Sequence, residues 1–86
     1  MPKRKVQEVI DGDTIRLSHN KFVRLANVNA PELGTKGAAA AKHELEKLIG
    51  GKTVSYTEDA LSYGRTVGTV KSGSKDVNAA MNKFLK

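Results

Sequence analysis

The sequence predicts a β-rich α+β domain with the element order β-β-β-α-β-β-α. Three observations carry this. Between Lys5 and Val28, short β-branched runs are separated by turn residues. From Ala38 the apolar spacing lengthens to the helical period. Past Gly50-Gly51 two more strand-like runs precede a second amphipathic stretch.

The elements follow in order. "KVQEVI" alternates weakly and reads as a strand over Lys5–Ile10, closed by the turn residues "DGD". "TIRLS" reads as the second strand and "SHNK" as a turn. "KFVRLANV" is the third strand, with Phe22, Arg24, Ala26 and Val28 on one face and Val23, Leu25 and Asn27 on the other. Pro31 ends that run, and "LGTKG" is a loop. Ala41, Leu45, Leu48 and Ile49 then recur at helical spacing, and the two glycines stop the helix. "KTVSYT" is the fourth strand, "EDALSYG" a loop, and "RTVGTVK" a fifth strand with a glycine inside it. "SGSKD" is a turn offering Ser74 or Asp76 as N-cap. "VNAAMNKFL" is a short helix with Val77, Ala80, Met81 and Phe84 or Leu85 inward. Five short strands with a helix between the third and fourth make the arrangement of a five-stranded OB-fold barrel. Such barrels often bind nucleic acid on one face.

Eighty-six residues suit one domain, spanning 1–86 with a basic arm over residues 1–5 that is expected to be disordered. Without cysteine, neither a disulfide nor a thiolate zinc site is available. No run approaches the ~20 apolar residues of a membrane span, and "VQEVIDGD" stands where a signal peptide would be apolar. A cytoplasmic protein is therefore expected, or a secreted one if a signal has been removed. Fifteen Lys and Arg against nine Asp and Glu give a net charge of +6, which favours polyanionic partners, nucleic acid first.

One stretch, Glu8–Leu33, concentrates chemistry. It holds four acidic residues and two arginines. A phosphodiester hydrolase needs oxygen ligands for a divalent cation, a base for water, and cations for the charge on phosphorus oxygens. Asp13 at a strand start, Glu32 past a strand end, and Arg24 between them can supply these, with Arg65 as a second cation. Arginine suits phosphate because its planar fork bonds two oxygens at once. Other groups read as ordinary: Asp11-Gly12 as turn geometry, Arg16 as a solvated sheet face, His19 and His43 as turn and helix-surface residues.

"IDGDTIRL", "VRLANVNAPE", "GAAAA", "YGR" and "DVNAAM" occur in an order and context that resembles the staphylococcal nuclease (thermonuclease) family, over about Val6 to Phe84. The resemblance implies an OB-fold enzyme that hydrolyses DNA and RNA with calcium and little sequence preference, leaving 3′-phosphate products. By position it implies Asp13 as the principal metal carboxylate, with Asn29 and the Ala30 carbonyl beside it. It implies Arg24 and Arg65 as the phosphate-binding arginines, Glu32 as general base, and Tyr63 as the aromatic that contacts the nucleotide.

The chain departs from that pattern in four places. Asn29 stands where members carry a second metal-binding aspartate, so a weak, millimolar calcium site is expected. The loop from Leu33 to Gly37 is short. Leu61 and Ser62 precede Tyr63 where aspartate and a basic residue are common. A third C-terminal helix is expected to be absent, leaving a seam that a second copy could cover, so monomer and dimer are both open. The rival expectation is a non-catalytic nucleic-acid- or protein-binding module on the same barrel. The retained Asp13, Arg24, Glu32 and Arg65 argue for the enzyme, and Asn29 for the rival.

Overall fold

The computed structural model describes residues 2–32 and 34–85. It is a mixed α+β fold with one eight-stranded sheet and two helices. The strands are β1 (Lys3–Asp11), β2 (Thr14–Leu17), β3 (Lys21–Leu25), β4 (Thr53–Tyr56), β5 (Ala60–Ser62), β6 (Arg65–Gly68), β7 (Val70–Ser72) and β8 (Lys75–Asp76). The helices are α1 (Ala38–Ile49) and α2 (Val77–Phe84).

The meander is as the periodicity requires. β1 pairs with β2 and β2 with β3, both antiparallel, and Ile15, Leu17, Val23 and Leu25 are fully buried on one face. Across the sheet the order is β5-β6-β3-β2-β1-β4-β7-β8, with β3 and β6 parallel. β6 and β7 lie far apart in this row, yet only Thr69 separates them along the chain.

Helix α1 buries Ala38, Ala41, Leu45 and Ile49 against β1 and α2. The Gly50 N–H closes it on the Glu46 carbonyl. Asp76 caps α2 by accepting from the Ala79 N–H, and Val77 and Met81 point into the core with Leu85 packed against it. Buried Asn78 accepts from the Val70 N–H and donates to the Ala26 and Gly68 carbonyls, tying α2 to two strands.

Four expectations need correcting. Lys3, Arg4 and Lys5 are not a free arm: they pair with Ser55, Val54 and Thr53 of β4, and Arg4 reaches the Tyr56 hydroxyl. Backbone pairing to a distant strand has no local periodic signal. The expected loop "EDALSYG" contains β5, an edge strand with no fully buried residue and hence no alternation to detect. The fifth strand is divided into β6 and β7 at Thr69, which with β8 brings the count to eight. The third strand's alternation stops at Leu25. Asn27 adopts a left-handed conformation (φ 62°) and the Val28 N–H bonds the Leu25 carbonyl, so Val28 turns into the core. Leu33, in the short loop, lies outside the described residues.

Candidate active site

The site begins at the β1–β2 turn. Asp11 Oδ1 accepts the Asp13 N–H at 3.0 Å, an Asx turn that sets the backbone. Gly12 has no alternative here: a Cβ would sit 2.6 Å from that of Ala41 and 2.7 Å from that of Ala30. The close approach brings the turn, α1 and the loop after β3 together.

Asp13 is 8% exposed, and its carboxylate bonds Thr14, Arg24 and Ala30. Its Oδ1 accepts the Thr14 hydroxyl at 3.0 Å. Its Oδ2 accepts from Arg24 Nη2 at 3.3 Å and from the Ala30 N–H at 3.1 Å. The same Arg24 nitrogen donates to Asn29 Oδ1 at 3.2 Å, and Arg24 Nη1 to the Leu25 carbonyl at 3.3 Å. From β6, Arg65 Nη1 donates to Thr14 Oγ1 at 3.4 Å. Asp13, Arg24, Asn29, Ala30 and Arg65 therefore meet through one hydrogen-bonded chain. The left-handed turn at Asn27 is what returns Asn29 and Ala30 to Asp13.

Glu32 and Tyr63 stand apart from this chain. The Glu32 carboxylate is exposed and has no ion-pair or hydrogen-bond partner among the described residues, while its carbonyl accepts from the Thr35 N–H and hydroxyl. Tyr63, 96% exposed, is at the tip of the β5–β6 hairpin with φ 52°. Thr14 carries no signal of its role in the sequence. Its side chain bonds both Asp13 and Arg65, the latter 51 positions away, and the Arg24 register opposite it is the one local sign of this.

Electrostatically the site is a mixed-charge cluster. Burial, and next the adjacent Asp13 carboxylate, raise the Asp11 pKa above the ordinary carboxylate value; the Asp13 N–H partly offsets this. Asp13 and Asn29 offer the oxygen donors that hard cations take, so the residues fit a calcium-type ion. The fit is a sparse one: no group of three acidic, histidine or cysteine side chains forms a metal cluster among the described residues.

Two comparisons bear on this geometry. The family described as staphylococcal nuclease homologue matches residues 22–84, which takes in Arg24, Asn29, Ala30, Glu32, Tyr63 and Arg65. The chain is also similar to a micrococcal nuclease of Shigella flexneri, 39% identical over 70 residues, covering 77% of this chain and 40% of that protein. The chain thus matches well under half the length of that relative. With the family match extending over most of its length, the chain belongs to the staphylococcal nuclease homologue family.

Proposed function

We propose that this chain is a calcium-dependent phosphodiesterase, an endonuclease that cuts DNA and RNA with little sequence preference and leaves 3′-phosphates. The observation that carries the reading is the joint held by Asp13: Arg24 on its carboxylate and Arg65 on the adjoining Thr14 hydroxyl, at the end of one sheet. Two guanidiniums fixed at one turn suit a phosphodiester, which spreads its developing charge over several oxygens. We also read the sheet as an OB-type barrel, because the row's β6 and β7 are continuous on the chain through Thr69.

In this mechanism Asp13, Asn29 and the Ala30 carbonyl would hold calcium, which when bound would supply Lewis-acid chemistry, drawing charge from the phosphate oxygens. Glu32 takes a proton from water as the water oxygen bonds to phosphorus. The bond from phosphorus to the 5′-oxygen breaks, and that oxygen takes a proton from solvent water to leave as the 5′-hydroxyl. Arg24 and Arg65 stabilise the five-coordinate phosphorus between these events. Tyr63 meets the nucleotide from its hairpin tip. Among the described residues nothing bonds the exposed Glu32 carboxylate, which suits it to act as a base.

A second reading is a binding barrel that has kept its arginines without hydrolysis. The neutral Asn29 and the absence of a three-group metal cluster among the described residues favour it.

Digestion of plasmid and single-stranded DNA with about 10 mM calcium, against EDTA, decides between them. Cleavage that requires calcium and is lost in Glu32→Gln supports the nuclease. Retention of DNA at low salt with no cleavage supports the binding module.

A further inference from the structure

The outer face of β2, β3 and β6 continues past the site. Thr14 pairs with Arg24, and Arg24 with Val67, so these share one row of the sheet. The next row begins with Arg16, which pairs with Phe22. The parallel register of Val23 with Thr66 sets Phe22 level with Arg65, which pairs with Ser62 of β5. Phe22 thus sits in register between two arginines, on the strand face that carries Arg24. Unlike its neighbours Val23 and Leu25, which are fully buried, it is 37% exposed.

Arg16 is held in place rather than free. It donates to Glu8 at 3.3 Å, to Gln7 at 3.2 Å and to Asn20 at 3.2 Å. Its ion pair with Glu8 is solvent-accessible on both sides, and such pairs exchange one anion for another at little cost.

We propose that this row extends the substrate track, with Phe22 stacking one nucleobase of a single-stranded nucleic acid and Arg16 holding the adjoining phosphate. This rests on the nuclease reading, since it takes Arg24 and Arg65 as the grip on the scissile phosphate. Phe22 is two residues from Arg24, about 6.6 Å along the strand. An extended single strand laid along β3 therefore brings its next base over the ring. Single-strand binders use this pairing of an aromatic platform with a cationic border, and it tolerates any base because every base has a π-face. The selectivity it confers is for unpaired over duplex substrate, whose bases are already stacked on each other.

The test is fluorescence anisotropy with a labelled single-stranded oligonucleotide in EDTA, where cleavage is not in play. Phe22→Leu keeps the apolar bulk and removes the aromatic plane, and Phe22→Trp keeps the plane. We expect Phe22→Leu to weaken binding by between about 5- and 150-fold and Phe22→Trp to bind as tightly as the parent. Replacing the bases by abasic sites should weaken the parent more than Phe22→Leu, a discrimination that a purely structural effect on the fold would not produce. Arg16→Gln should reduce the salt slope of log K by about 0.7. Equal loss by Phe22→Leu and the parent on going to the abasic strand overturns the stacking role, and an unchanged slope overturns that of Arg16. Calcium-dependent cleavage that is lost in Arg24→Gln would leave the nuclease reading standing in either event, so the two failures are distinguishable.

Discussion

Arg24 has a dual allegiance. Its Nη2 already lies on Asp13 Oδ2 and Asn29 Oδ1, two of the oxygens that a cation would use. Removing the guanidinium should therefore have opposite effects on two measurements. Arg24→Gln is expected to slow cleavage by roughly 100–1,000-fold. It is also expected to tighten calcium binding in calorimetric titration, because a competing positive charge is gone. Weaker calcium binding in this variant would mean that Arg24 orients the donors rather than competing with the ion. Asp11 offers a second residue-scale test. Its folded-state pKa is raised, chiefly by burial and then by Asp13. A raised carboxyl pKa stabilises the fold below the unfolded-state value, and that contribution is lost as pH rises through the folded-state value. Asp11→Asn keeps an oxygen for the Asp13 N–H and removes the charge. In calcium-free buffer its melting temperature should exceed the parent's at neutral pH, with the gain shrinking as pH falls into the carboxylate range.

The elements that position the site depend on close backbone approach. At Gly68 in β6, a Cβ would fall 1.9 Å from the Thr57 carbonyl oxygen, where the chain leaving β4 crosses toward β5. No side-chain rotation relieves a clash with backbone, so Gly68→Ala should cost more than about 2 kcal/mol in urea unfolding. Gly64, between β5 and β6, has φ +78° and open space around it, so Gly64→Ala should cost only about 1–2 kcal/mol, the left-handed penalty itself. Similar costs for the two would show that the crossing at Thr57 yields. Helix α1 was legible from its period, and Ala41, Leu45 and Ile49 are fully buried as that period requires. β5 was not legible. Its three residues pair only with β6 and bury nothing fully, so no alternation exists for a sequence reading to find.

At the scale of the molecule, the +6 charge is spread on a surface where four cations are in ion pairs among the described residues. Lys3, Lys5 and Lys71 are all exposed on the strands β1 and β7 that flank β4. If only Arg16, Arg24 and Arg65 met phosphates, log K for single strands would fall with log salt at a slope of about −2. A steeper slope would show that these lysines also bind the strand, as the composition suggests. No described helix is long and apolar enough to cross a membrane.

Local spacing and residue chemistry dictate the meander, α1, the capped α2 and the identity of the charged groups. The sequence also carries the family motifs in order. The tertiary structure decided which of those groups meet. Thr14 joins Asp13 to Arg65, residues that the chain separates by about fifty positions, and Asn27's left-handed turn returns Asn29 to Arg24. It also paired the basic N-terminus with β4 and set Phe22 between two arginines. The physical reason is the same in each case. Side-chain period reports which face a residue takes, whereas register between distant strands determines its neighbours on that face.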